Sequence, residues 1–284
     1  MKVFPFKIPM TEGDTLIYQE DRVIRFYDKL HQHEEIQVSF IVRGEGSLIV
    51  ADTINHFEPG DTIVIGSNIP HVFKNDVVED THAFMISLFF TKNSFGEDFF
   101  DTADLAEIDP FFTASKNGFL AMSDKNYLKH LFLQLREKSK IDRFISFLEL
   151  LKVLAKGDKK ALSLFINKKR YTDNEGKRMS DIFEYAMSNY DQNISLETIA
   201  SIANMSKNAF CRYFKQRTNK TFFQFLIEIR VENACKMLMK NHELMVGEIA
   251  ALCGFQNISN FNRKFKEIKG ITPSKYRRSW MFSN

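Results

Sequence analysis

The stretches NMSKNAFCRYFKQRTNKT (204–221) and GFQNISNFNRKFKEIKGIT (254–272) are two passes over one polar, aromatic and basic pattern. In the first, Phe210, Tyr213 and Phe214 share one side of a helix, and Asn208, Cys211, Arg212 and Lys215 recur at i, i+3, i+4 and i+7 on another. In the second, Ile258, Phe261, Phe265 and Ile268 make the apolar stripe. Ser259, Asn262, Arg263 and Lys266 take the same polar offsets, 51 residues on. Small, amide and guanidinium groups on one helix face suit base edges and phosphates. A guanidinium has the fork geometry for a bidentate contact with guanine.

Each pass follows a short apolar-periodic segment, SLETIASIANMS (195–206) and MVGEIAALCGFQ (245–256). Ser195 is placed to cap the first. Asn204 and Gly254 fall where the chain must turn sharply, and both residue types tolerate a left-handed backbone. Two helices joined this way form a helix-turn-helix, so the pattern predicts two such units. Between them TFFQFLIEIRVENACKMLMK (221–240) has no Gly or Pro and reads as one helix. Such a helix spans about 30 Å, close to the rise of one DNA turn, about 34 Å.

Across 194–278 these residues resemble the DNA-binding domain of the AraC/XylS family of bacterial transcription regulators. The Gly254-Phe255 pair and the ending FNRKFKEIKGITPSKYRR (261–278) carry the likeness. The resemblance implies base contacts from Asn208, Cys211, Arg212, Ser259, Asn262 and Arg263, and phosphate contacts from Lys215 and Lys266. Cys211 stands where many relatives carry Gln or Ser, so the first unit is expected to read bases more by shape.

Charge agrees with this division. Residues 181–284 hold 15 Lys and Arg against 9 Asp and Glu, and residues 1–180 hold 24 against 27. The basic third is the part expected to meet a polyanion. Apolar residues make up 44% and charged ones 26% of the 284, so a folded chain is expected. The three cysteines (Cys211, Cys235, Cys253) lack C-x-x-C spacing and predict neither a disulfide framework nor a cysteine zinc site. Neither a signal sequence nor a membrane-length apolar run is seen, which predicts a cytoplasmic protein with no membrane partner.

The first ninety-odd residues read as β. IQVSFIVRGEGSLIVAD (36–52), HFEPGDTIVIGSNIPHVF (56–73) and HAFMISLFFT (82–91) are strand-like runs broken by Gly and Pro. Segments 124–140 and 143–166 then show helical spacing, with stripes Leu128, Leu131, Phe132, Leu135 and Phe144, Phe147, Leu148, Leu151. The polar run 167–180, with Gly176, predicts a linker.

HQHEEIQVSFIVRG (31–44) and GDTIVIGSNIPHVFKN (60–75) resemble the two half-motifs of a cupin barrel. His31 and His33 match its H-x-H and His71 its later histidine, with Asn75 four residues on. Gln37 stands at the glutamate position. An amide is a weaker ligand than a carboxylate for a divalent ion. His31, His33, Gln37 and His71 are therefore expected to line an effector pocket, with no metal and no cofactor.

The expected fold is α+β in two domains. Residues 1–166 form a cupin-like β-barrel with a helical dimerisation segment, 167–180 a linker, and 181–284 an all-α domain with two helix-turn-helix units. The expected function is a sequence-specific, non-enzymatic regulator. Its implied partners are promoter DNA, a small-molecule effector, a second copy of the chain and RNA polymerase. The competing readings are a metal-dependent cupin enzyme with a helical appendage, and a constitutive regulator whose barrel is purely structural.

Overall fold

The computed structural model describes residues 8, 15–78, 81–163 and 173–281, and the chain divides into two compact units at Asp173/Asn174.

Unit 1 is β-rich. Its strands are β1 (Ile17–Val23), β2 (Ile36–Arg43), β3 (Gly46–Val50), β4 (Thr53–Phe57), β5 (Thr62–Ile65), β6 (His71–Asn75) and β7 (Ala83–Phe90); β2, β3, β5, β6 and β7 follow the three sequence runs, whereas β1 lies outside them and most of β4 falls between two of them. Two very short strands, β8 (Phe119–Ala121) and β9 (Lys159–Ala161), complete one sheet in the order β1-β7-β2-β5-β8-β9. A second sheet has the order β4-β3-β6. All the pairings are antiparallel.

Period-2 alternation divides β2 and β7 between two environments. Ile36, Val38, Phe40, Ile86, Leu88 and Phe90 pack in one cluster with the helices, with Phe90 and Phe147 edge to face at 4.6 Å. Ile41 and Met85 join Leu48, Val50, Phe57, Ile63, Ile65 and Phe73 in a second core between the two sheets. Gln37, Ser39, Ser87 and Phe89 take this inner side too, so the barrel interior carries a buried polar stripe.

The helices of this unit are α1 (Asp109–Ser115), α2 (Lys125–Gln134) and α3 (Lys140–Lys156). Leu128, Leu131, Phe132, Leu135, Phe147 and Leu151 are buried as their spacing predicts, and Phe144 and Leu148 pack against the same core. The helix expected over 143–166 stops earlier. It ends at Lys156, Gly157 caps it in extended conformation, and the chain goes on to pair as β9 with β8.

Unit 2 contains α4 (Asp173–Ser188), α5 (Leu196–Ile202), α6 (Lys207–Thr218), α7 (Phe222–Lys240), α8 (Val246–Leu252), α9 (Ile258–Lys269) and α10 (Pro273–Met281). The linker expected at 167–180 is corrected by α4. Residues 173–180 are its first half, and 167–172 lie outside the described residues. Met179, Ile182, Phe183 and Ala186 fall on one face and are buried, which outweighs the roughly 1 kcal/mol that Gly176 costs relative to alanine in a helix. Glu175 adds an ion pair to the buried Arg217, and its carbonyl accepts from the Tyr213 hydroxyl at 3.0 Å.

Helix α7 serves two small cores. Its first half contributes Phe222 and Phe225 to an aromatic group with Phe183, Phe210 and Phe214. Its second half gives Val231, Ala234, Cys235 and Leu238 to a cluster with Ile249, Cys253, Phe255, Phe261 and Phe265. Burial pushes the Cys235 and Cys253 thiols up to about 12, so both are inert apolar packing groups.

Candidate functional site

Two sites emerge, one in each unit. In unit 2 the repeats fold as their spacing predicts. Helix α5 is capped by Ser195, whose Oγ accepts from Thr198 N at 3.0 Å. Its turn into α6 passes through Asn204 at φ 51°, and the matching turn from α8 to α9 passes through Gly254 at φ 80°. Gly254 is held for a second reason: a Cβ there would stand 2.8 Å from the carbonyl oxygens of both Tyr190 and Asp191. Arg230 of α7 fixes the same loop, donating from Nε to Tyr190 O at 2.7 Å and from Nη2 to Gln192 O at 2.8 Å.

Helices α6 and α9 begin at side-chain caps. Ser206 Oγ accepts from Ala209 N at 3.4 Å, and Asn257 Oδ1 accepts from Ser259 N at 2.8 Å and Asn260 N at 3.2 Å. The buried faces hold Phe210 and Phe214 in α6, and Phe261 and Phe265 in α9. Asn208, Cys211, Arg212 and Lys215, and likewise Ser259, Asn262, Arg263 and Lys266, are all exposed. Arg263 rests on its own helix, donating to Asn260 Oδ1 at 2.9 Å beside Glu267. One expectation fails: Ile258 and Ile268 lie outside the buried stripe, 43% and 37% exposed. They stand near the two ends of α9, on either side of the buried Phe261 and Phe265.

The second site is inside the barrel. An isolated bridge pairs His31 with His71, with N···O distances of 3.1 and 2.8 Å. The ligand atoms of His31, His33 and His71 lie within 4.8 Å of one another, and all three residues are buried. Each Nδ1 faces a backbone carbonyl: Lys29 O at 2.8 Å, Glu35 O at 2.9 Å and Ile69 O at 2.7 Å. Carbonyls only accept, so each neutral ring carries its proton on Nδ1 and a lone pair on Nε2.

Burial keeps the rings neutral. It pulls His31 down to about 4, His33 below its ordinary value and His71 well below it, the last also repelled by His31 and His33. The Gln37 carboxamide meets two of the rings, its Oε1 being 3.3 Å from His33 Nε2 and 3.2 Å from His71 Nε2. Two lone pairs favour the amide turned with its nitrogen toward them, a half-turn that leaves the shape of the side chain unchanged. Gln37 also bonds Ser39 Oγ at 2.8 Å, which bonds Ser87 Oγ at 2.7 Å. Tyr27, Phe73 and Phe89 set aromatic rings beside the imidazoles.

The structure thus brings together all four sequence-predicted barrel residues and adds Ser39 and Ser87. Their sequence signal is a polar residue breaking an apolar strand, in QVSF (37–40) and ISL (86–88). Asn75 is elsewhere, as a backbone staple: its Oδ1 accepts from Phe26 N and its Nδ2 donates to Ile24 O, both at 2.9 Å. Three Nε2 lone pairs with carbonyl-anchored Nδ1 protons fit a borderline divalent ion such as zinc, for which His31, His33 and His71 would be the ligands. Such an ion would supply a Lewis-acidic positive charge to an occupant of the barrel.

Comparison with known proteins places both units. Residues 199–279 match a helix-turn-helix domain family, and residues 25–87 match a cupin domain family. The chain therefore carries an AraC-type DNA-binding domain behind a cupin domain, the architecture of a transcriptional regulator. It is similar to YdeC, an uncharacterized HTH-type transcriptional regulator of Bacillus subtilis (strain 168), at 22% identity over 96% of this chain and 92% of that protein. It is also similar to LumQ, a probable transcriptional regulator of Photobacterium leiognathi, at 22% identity over 87% of this chain and 90% of that protein. The crystallised DNA-binding domain of AdpA, in complex with a target DNA, is 27% identical over 38% of this chain and 96% of its own, with a TM-score of 0.36. No helix among the described residues is long and apolar enough to cross a membrane.

Proposed function

We propose that the protein is a sequence-specific regulator that binds promoter DNA through α6 and α9 and is controlled by a small molecule held in its barrel. One observation carries the first part. Two helix-turn-helix units, α5–α6 and α8–α9, each end in a capped helix with an exposed polar and basic face, and a single helix of 19 residues, about 28 Å long, joins one unit to the other. That length suits two readers entering successive major grooves about 34 Å apart. Asn208, Cys211, Arg212, Ser259, Asn262 and Arg263 take base edges, and Lys215 and Lys266 take phosphates.

The buried stripe of His31, His33, Gln37, His71, Ser39 and Ser87 supports the second part. Polar groups converging inside an apolar barrel are the makings of a small-ligand site. Control requires the ligand to favour one arrangement of the chain over another. The helical layer supplies the contact with a second copy, and its exposed Leu133, Ile141 and Ile145 support that role. RNA polymerase would be the further partner at the promoter, and the cytoplasm the place of action.

The test is selection of binding sites from random duplex DNA with the full-length protein. Enrichment of a bipartite sequence with two elements about one helical turn apart is expected. Recovery of no sequence above background would overturn the reading. The lone-pair geometry of His31, His33 and His71 favours one variant of the effector reading, in which the occupant is bound with or as a divalent cation.

A further inference from the structure

An exposed apolar residue is ordinary on a protein surface and means little by itself. Ile258 is different because of where it stands. It is the first residue of α9, immediately after the Asn257 cap, on the helix that carries Ser259, Asn262 and Arg263. The sequence pattern assigns it to the buried stripe, yet 43% of it is open to solvent. The two Asn257 hydrogen bonds fix the backbone of this turn, so the position of Ile258 is set before any partner arrives. Helical Cβ atoms tilt toward the N-terminus, which carries this side chain past the end of the helix. Asn262 follows at i+4, one turn up the same face and also exposed.

The sister unit shows that apolarity here is not a demand of the fold. The first residue of α6 is Lys207, which is exposed and ion-paired with Glu197 of α5. The second residue of α8, matching Glu197 of α5, is Gly247. The second unit thus has neither the cation nor its partner, and presents a branched aliphatic group at the same place. Recognition helices of this kind enter the major groove by their N-terminal residues. The apolar feature on a base edge there is the C5-methyl of thymine, which apolar side chains contact.

Resting on the DNA-binding reading, we propose that Ile258 is a specificity-determining residue that covers the C5-methyl of one thymine, next to the base met by Asn262. The second half of the binding site then requires T at that position through van der Waals contact. The first half, with Lys207 in the equivalent place, has no such requirement from its N-terminal residue.

The probe is the duplex selected by the full-length protein, with each thymine replaced in turn by deoxyuracil, which removes only the methyl. For the unaltered protein, one replacement should weaken binding about four-fold, the weight of one methyl-sized group withdrawn from contact. Ile258→Ser should bind the parent duplex correspondingly less well and lose sensitivity at that position alone. Ile258→Val, which keeps a branched apolar surface, should retain it and so controls for folding. Identical deoxyuracil profiles for the unaltered protein and Ile258→Ser would overturn the proposal while leaving DNA binding intact. Selection of no DNA at all would overturn both readings.

Discussion

Replacing Gly254 by alanine separates two demands on the turn that aims α9. At φ 80° an L-residue sits in the left-handed region, a strain of about 1–2 kcal/mol. Reduced freedom of the unfolded chain returns about 0.4–1 kcal/mol of that. Gly270 measures this backbone part alone: its φ is 76°, and a Cβ there would meet nothing within 4 Å. At Gly254 the added carbon would also press on the carbonyl oxygens of Tyr190 and Asp191 at 2.8 Å, both in the loop that Arg230 holds. Overpacking against backbone that cannot rotate away costs about 1–3 kcal/mol more. Gly254→Ala should therefore destabilise unit 2 by about 2–4 kcal/mol, and Gly270→Ala by about 1 kcal/mol or less. Unit 2 is all-helical among its described residues, so loss of far-UV circular dichroism under urea follows its unfolding. Equal midpoint shifts for the two variants would refute the close-approach argument.

Other outcomes follow from the same contacts. Arg212→Ala and Arg263→Ala should each reduce specific over nonspecific DNA binding by about 1–3 kcal/mol at one base position in mobility-shift titrations, whereas equal losses on all sequences would reassign those side chains to phosphates. His31 is held near 4 in the folded chain against about 6.5 when unfolded, so between those values the unfolded state alone takes the proton. Stability is full above about pH 6.5 and falls on acidification, by about 2 kcal/mol from His31 at pH 5, a loss that denaturation of His31→Gln should not show. If the barrel takes zinc, added zinc should raise its melting temperature and His71→Ala should abolish the rise, and an unchanged melt in both proteins would dismiss the metal variant. Ile141→Glu with Ile145→Glu should convert a dimer to a monomer in sedimentation velocity, and an unaltered species would place the dimer contact elsewhere.

The sequence alone determined whatever is encoded by short spacing. Two helix-turn-helix units, their Ser195 cap, the left-handed turns at Asn204 and Gly254 and the exposed polar faces of α6 and α9 were all legible, because helical periodicity and φ tolerance are properties of neighbouring residues. The β runs were legible for the same reason, and likeness to a cupin named His31, His33, Gln37 and His71 together. Tertiary structure decided the rest. It made 173–180 a helix, since the burial of Met179, Ile182 and Phe183 depends on a core built by distant segments. It left Ile258 and Ile268 outside the stripe, because burial depends on how far the neighbouring helices reach. It joined Gln37 to His71 across 34 residues and Ser39 to Ser87 across 48, a closure set by strand register and barrel packing that no local pattern records.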